Sequence, residues 1–346
     1  MSTRLRALLS VVAVALALAP AVSCGSGRAE QTAGPAPGAG GGPGGEVLVL
    51  QHSDPGNAGA LAVAKKEGTL DRELAKVNAR VEWVQTPGAF SATVDLFKSG
   101  QVNVTNAAVA PVVGLFGRNL GLQIFSVSDV SDYDLSGVVA SKSSGVTDVK
   151  GLVGKRVAVN AGGKGEYLLL LALEQAGVPV DQVERVPLQP AEAASAFATG
   201  KVDAWGTFGT FYSEAKKQGG TVLASETDMT SDDLGIQAAN EKLLAARPDV
   251  FKTWVKVIAG LTEEQHKDPE RFENVFEKAG PRALSGDRLA EAIAIGRTAP
   301  VPRIPTAEDR TRVGNVALIF HKNKVIDQPV DTAKAVHDLN AARGNA

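Results

Sequence analysis

Between residues 46 and 225 the chain runs twice through one rhythm: a short apolar strand, a helix-spaced run, another strand. The first series reads "EVLVLQ" (46–51), "GNAGALAVAKKEGTLDRELAKV" (56–77), "ARVEWVQ" (79–85), "FSATVDLFKSG" (90–100), "VNVTNAA" (102–108), "VAPVVGLFGRN" and "LGLQIFSVS" (120–128). The second opens with "SGVVASKSSG" (136–145) and continues through "KRVAVN", "GEYLLLLALEQAG", "VERVPLQ", "EAASAFATG", "VDAWGTF", "GTFYSEAKKQGG" and "TVLAS". Such alternation buries its apolar faces only as sheets covered by helices, so it predicts an α/β fold of two parallel-sheet lobes. From about residue 240 helical runs dominate, among them "EKLLAARPDVFKTWVKVIAGLTEEQ", "PERFENVFEKA" and "VDTAKAVHDLNAAR".

In open parallel sheets a ligand sits beyond the carboxyl ends of the strands. That rule nominates residues 51–56, 105–110, 160–167 and 205–211. Two lobes facing each other with such ends would share one cleft.

The start of the chain has a different character. Arg4 and Arg6 precede an apolar run from Ala7 to Val22 that ends at Ser23-Cys24. A basic start, a short apolar stretch and small residues at the break describe an export signal. The run is shorter than the roughly 20 residues a membrane span needs. Cys24 is the only cysteine, so no intrachain disulfide can form. Residues 25–45, "GSGRAEQTAGPAPGAGGGPGG", contain almost nothing to bury and read as a flexible linker. As a coil it would reach roughly 25 Å.

The stretch "NAGGKGEY" (160–167) places glycines between a strand and a helix, where exposed backbone N–H groups and the helix dipole favour an anion. Gly162, Gly163, Lys164 and Gly165 are therefore candidates for ligand contact. The alternative is a glycine turn required for tight strand–helix packing, with Lys164 in solvent. Glu166 complements the helix N-terminus. A nucleotide P-loop is excluded, because Lys164 is followed by Gly165 and the upstream glycine is missing.

Elsewhere, "QHSD" (51–54) offers Gln51 and Ser53 as hydrogen-bonding groups, or a turn and cap before the next helix through Asp54-Pro55. Adjacent His52, Ser53 and Asp54 cannot form a nucleophilic relay, and no catalytic set is expected. Trp205 and Phe208, with Phe211 and Tyr212, could wall an apolar ligand tail, or supply lobe core. Thr207 adds a hydroxyl, Asn106 with Ala107 the polar function of the third loop, and Tyr133 lies near a crossover. Histidines 52, 266, 321 and 337 are scattered, read as surface residues, and suggest no metal site. No cofactor motif is present. A net charge of −2 without a basic stripe argues against nucleic acid.

Four stretches, in this order and spacing, carry a family resemblance: "ALAVAKKEGTLDRELAKVNARVEWVQTPG", "LFKSGQVNVTNAAVAPVV", "DVKGLVGKRVAVNAGGKGEYLLLLALEQAGV" and "AEAASAFATGKVDAWGTFGTFYSEAKKQGG". Together they resemble the solute-binding proteins of ABC importers for aliphatic sulfonates, taurine and nitrate. "AVSC" (21–24) resembles a lipobox, which implies lipidation of Cys24. The resemblance implies a two-lobed, type II periplasmic-binding-protein fold with two crossover strands, near Asp134–Val138 and Asp232–Ile236. It implies a signal at 1–24, a linker at 25–45, lobe I at 47–135 plus 235–346, and lobe II at 136–234. It also implies a monomer, outside the cell membrane, that hands a small organic anion to separately encoded permease and ATPase subunits. An aliphatic sulfonate leads; nitrate, bicarbonate, taurine, an aromatic acid, a pyrimidine precursor or a sensing role are the alternatives. Members of the family it resembles often carry an acid in the third loop where this chain has Val109, Trp-Asp-Pro where it has "FGTF", and Ser-Ser or Ser-x-His in the glycine turn where Lys164 and Glu166 stand.

Overall fold

The computed structural model describes residues 46–86, 94–116 and 120–341. In the first half of the chain four strands form: β1 (Leu48–Ser53), β2 (Ala79–Val84), β3 (Val104–Ala108) and β4 (Leu122–Ser128). Between them lie α1 (Ala60–Glu67), α2 (Thr69–Ala75), α3 (Val94–Lys98) and α4 (Val109–Val113). The chain then builds a second sheet from β5 (Ser136–Ala140), β6 (Arg156–Val159), β7 (Glu184–Pro187), β8 (Ala204–Phe208) and β9 (Thr221–Ser225). Helices α5 (Lys164–Ala176), α6 (Pro190–Ala198) and α7 (Gly209–Lys217) connect these strands. It returns to the first sheet through β10 (Gly235–Asn240), followed by α8 (Glu241–Ala246), α9 (Pro248–Lys267), α10 (Gly286–Gly296), α11 (Ala307–Lys322) and α12 (Thr332–Ala335).

The sheets are five-stranded, in the orders β2-β1-β3-β10-β4 and β7-β6-β8-β5-β9. Neither is purely parallel, which corrects the expectation from alternation. The strand that enters each sheet from the other one is inserted antiparallel: β10 against β3 and β4, β5 against β8 and β9. Alternation counts strands but carries no information on where a returning strand slots in. The remaining pairs keep the parallel βαβ geometry.

The C-terminal helical region is also more broken than its periodicity predicts. The run over 241–265 splits at Arg247–Pro248, because proline lacks the N–H a continuing helix needs. "PERFENVFEKA" yields only a single 3-10 turn, Pro269–Phe272. Asn274 there adopts a left-handed φ of 52°, and the N–H groups of Phe276 and Glu277 donate to the Asn57 side chain. After α12 the chain straightens beside β4, where Val336 bridges Ile124.

Two packing centres hold the sheets. Helix α9 buries Val250, Trp254, Ile258 and Leu261 along one face at helical spacing, against Leu50, Val104 and Phe125 of the first sheet. Each fully buried side chain of this size stabilises by about 1.5–3 kcal/mol. Helix α5 buries Tyr167 to Leu173 without a break, packs on the second sheet, and meets α4 and α11 of the first lobe. Gly177, left-handed at φ 68°, ends it.

Candidate functional site

Beyond the carboxyl ends of β1, β3 and β4 lies a cavity of about 360 Å³. Its floor is a row of polar side chains on three neighbouring strands. Gln237 of β10 stands opposite Asn106 of β3 on one side and Ser126 of β4 on the other. Directly opposed residues share a sheet face, so an Asn, a Gln and a Ser lie side by side. A bulge immediately follows: Gln237 pairs with Ser126 but Ala238 with Ile124, leaving Phe125 to turn into the core. Bulges of this kind re-aim side chains next to binding sites.

Ser126 is fully buried and its hydroxyl has no hydrogen-bond partner among the described residues. An orphaned buried hydroxyl costs free energy unless something else occupies it. Gln237 is tied by its amide oxygen, which accepts from the Trp254 indole N–H at 3.1 Å.

The wall facing this row is the start of α1. Its N-cap is Gly59 at φ 85°, and no side chain caps the helix. First-turn amides have no acceptor within their own helix; the Gly59 N–H donates to the Phe272 carbonyl at 2.8 Å, and Ala60 and Leu61 line the cavity. Glycine is needed here because a side chain is strained at this φ. Asp54, the cap that the sequence offers, instead accepts from Gly56 N–H in a turn and pairs with Lys65. Ile258 and Pro302 supply apolar lining. Among the described residues, none of the lining side chains is charged.

Of the residues nominated from sequence, Asn106 and Ala107 line this cavity. Gln51 and Ser53 do not: the Gln51 side-chain oxygen accepts from Asn103 at 3.4 Å, and the Ser53 hydroxyl is buried without a partner among the described residues. His52, expected at the surface, is fully buried, stacked on Trp254 at 5.3 Å and edge-on to Trp83 at 5.5 Å. Burial pushes its pKa down to about 4, so it is neutral.

The glycine turn lies elsewhere and the N–H groups of its glycines are already engaged. Gly162 N–H donates to Glu166, Gly163 N–H to the Asn160 carbonyl, and Gly165 N–H to the Asn160 side chain. Its glycines allow close approach: a Cβ on Gly165 would sit 2.1 Å from the Gly206 carbonyl oxygen. This is the tight strand–helix packing of the second alternative. Glu166 does complement the turn, and also pairs with Arg185.

Lys164 is not in solvent and does not offer a free ammonium. It donates to Glu226 at 2.7 Å and Asp233 at 3.0 Å. Burial opposes its charge, but the two carboxylates outweigh this and raise its pKa. Asp233, whose pKa burial raises, also accepts from Ala110 N–H at the start of α4. Trp205 is packed between Phe197 and Phe211 in the second lobe's core, Thr207 is buried, and Phe208 precedes α7 as its N-cap. The Tyr133 hydroxyl donates to Ala294. Cys24 lies outside the described residues.

Ser126, Gln237 and the α1 start escaped the sequence reading. The available signal was a lone glutamine in the otherwise apolar "GIQAA", and serines alternating through "FSVS".

Among the described residues no His, Cys, Asp and Glu gather as a metal site requires, and no helix is long and apolar enough to cross a membrane.

A Bacillus subtilis protein named for aliphatic sulfonates binding is 30% identical over 217 residues, covering 60% of this chain and 63% of that protein. The alignment thus spans less than two thirds of that relative. An Escherichia coli protein of the same description is 26% identical over 305 residues, covering 80% and 88%. The taurine-binding periplasmic protein of Escherichia coli is 25% identical over 254 residues, covering 71% and 76%. The solved periplasmic aliphatic sulphonate binding protein of Escherichia coli has a TM-score of 0.71 at 20% identity, over 87% of this chain and 95% of that one. A solved desulfurization enzyme shares the fold at a TM-score of 0.58 and 15% identity, over 84% and 96%. The chain therefore has the two-lobed α/β fold of periplasmic binding proteins. A family described as NMT1/THI5 like matches residues 80–272, more than half of the sequence, and the chain belongs to that family.

Proposed function

We propose that this protein is the exported solute-binding component of an ABC importer, capturing a small organic anion, an aliphatic sulfonate, for delivery to a membrane permease and its ATPase. The observation that carries this reading is the uncharged cavity where an uncapped helix start faces the Asn106–Gln237–Ser126 row. Convergent neutral donors and a helix dipole hold an oxoanion without a countercharge, while Ile258 and Pro302 suit a short apolar tail. Relatives named for sulfonate binding support capture over turnover, as does a lining without a charged general base.

The binding lobes in this reading are residues 47–135 with 235–346, and 136–234. The leader and linker suit a monomer lipidated at Cys24 and held on the outer face of the cell membrane.

A thermal-shift screen of the purified protein tests the function. Ethanesulfonate is expected to stabilise by mass action, about 2.7 kcal/mol at a hundredfold excess over its Kd. Stabilisation by cations or neutral sugars alone would overturn the anion reading.

A further inference from the structure

Two-lobed proteins with crossover strands commonly close around a ligand by a hinge, a few residues that absorb the backbone change. Here the cavity is complete within one lobe. Among the described residues, those that line it lie between 55 and 128 or between 235 and 302, so each belongs to the first lobe. Resting on capture at that cavity, we infer that Lys164 and the carboxylates around it lock the lobes together at the crossovers, so that the ligand is held without lobe closure.

Both crossovers are anchored at each end. In the first, between β4 and β5, Asp129 pairs with Arg312 of α11 at 3.0 Å, on the first-lobe side. Asp134 accepts from Tyr212 and Lys216 of α7 and from Ser225 of β9, on the second-lobe side. In the second, between β9 and β10, Asp232 accepts from the same Arg312 at 3.0 Å and from Asn315 at 2.8 Å. Its neighbour Asp233 accepts from Lys164 at 3.0 Å and from the Ala110 N–H of α4 at 2.6 Å. Lys164 also donates to Glu226, which accepts from Ser136 at the start of β5 and from Ser231. One buried ammonium thus ties α5 of the second lobe to the second crossover. Through Asp233 it reaches α4 of the first lobe, and through Glu226 the end of the first crossover. Residues anchored in this way cannot absorb a hinge rotation without breaking ion pairs, and a buried charge left without its partner is strongly disfavoured.

Apolar packing opposes the same motion. Tyr167 of α5 meets Phe320 of α11 edge-on at 6.3 Å, and its hydroxyl accepts from Asp232 N–H. Leu168 to Leu173 share one buried cluster with Val113 of α4 and Val316 of α11. Parting the lobes would expose this shared core to water. The backbones of Gly114 and Gly162 also touch across the boundary, close enough that a Cβ on Gly114 has no room.

Distances between spin labels test this in the full chain, with Cys24→Ser so that only introduced cysteines are labelled. One pair is Lys76→Cys with Lys201→Cys, the other Lys98→Cys with Lys217→Cys; each joins exposed positions on the two lobes. Each pair is expected to give one narrow distance population, moving by less than about 2 Å when ethanesulfonate saturates the protein by titration calorimetry. A larger shift in either pair, or two populations without ligand, overturns the inference and leaves sulfonate capture standing. Lys164→Ala should widen both ligand-free distributions, and Arg312→Ala, which frees both crossovers from α11, carries that comparison if Lys164→Ala does not fold. Distributions as narrow as in the unaltered protein would overturn the locking role of the ion pairs. If calorimetry detects no ethanesulfonate binding, the sulfonate reading falls, while the ligand-free distances still decide the joint: one population supports it and two overturn it.

Discussion

At the scale of single residues, His52 shows how burial turns a titratable side chain into a structural one. Its ring sits between two indoles with its Nε2 unpartnered among the described residues, and its pKa falls from the ordinary 6.5 to about 4. The unfolded chain therefore binds a proton that the folded one refuses. Stability from this group is complete above pH 6.5 and is lost as pH falls towards 4. The full loss amounts to about 3 kcal/mol. Chemical denaturation at pH 7 and pH 4.5 should show that loss largely in the unaltered protein and largely absent in His52→Phe, which keeps a ring between the indoles. An identical pH dependence in the two proteins would remove the histidine from the explanation. His52 was legible in the sequence only as a scattered histidine. Its position in a six-residue strand says which neighbours are on its face, not that two distant tryptophans close over it.

At the scale of elements, the turn before α5 reads from sequence as an anion cradle or as a packing turn, and the elements around it engage its glycine N–H groups. Strand–glycine–helix wording is the same whether the N–H groups face a ligand or the chain's own side chains. Here Asn160 and Glu166 accept from the N–H groups of Gly162, Gly163 and Gly165, and the approach of α5 to β8 at Gly206 requires Gly165. Lys164 joins three elements by pairing with Glu226 after β9 and Asp233 before β10, while Asp233 holds the first turn of α4. Removing one partner of such a buried set leaves uncompensated charge. Lys164→Ala is accordingly expected to cost about 3–5 kcal/mol in urea denaturation. A loss below 1 kcal/mol would mean the carboxylates find protons or water without strain.

At the scale of the whole molecule, the two lobes touch where the end of α4 meets the glycine turn. A Cβ on Gly114 would lie 2.2 Å from the Gly162 carbonyl oxygen, although Gly114 itself has an ordinary helical φ of −59°. Gly114→Ala thus isolates packing from backbone strain. It should destabilise the protein by about 1–3 kcal/mol through overpacking, read as a lower denaturation midpoint; an unchanged midpoint would show that the lobes part freely there.

What the sequence determined by itself is what repeats locally: the strand–helix alternation, hence an α/β fold in two halves, and the place of Asn106 in the third strand. Periodicity reports which face of an element is apolar, and glycine reports where the backbone bends or approaches closely. What only the tertiary structure decided is which elements become neighbours. The insertion of β10 between β3 and β4 brings residues 106, 237 and 126 into one row, and α9 then sets Trp254 against Gln237. The physical reason is that cross-strand register and helix packing act through contacts distant in the chain. A glutamine in an apolar strand is an anomaly until the fold supplies the indole that orients it.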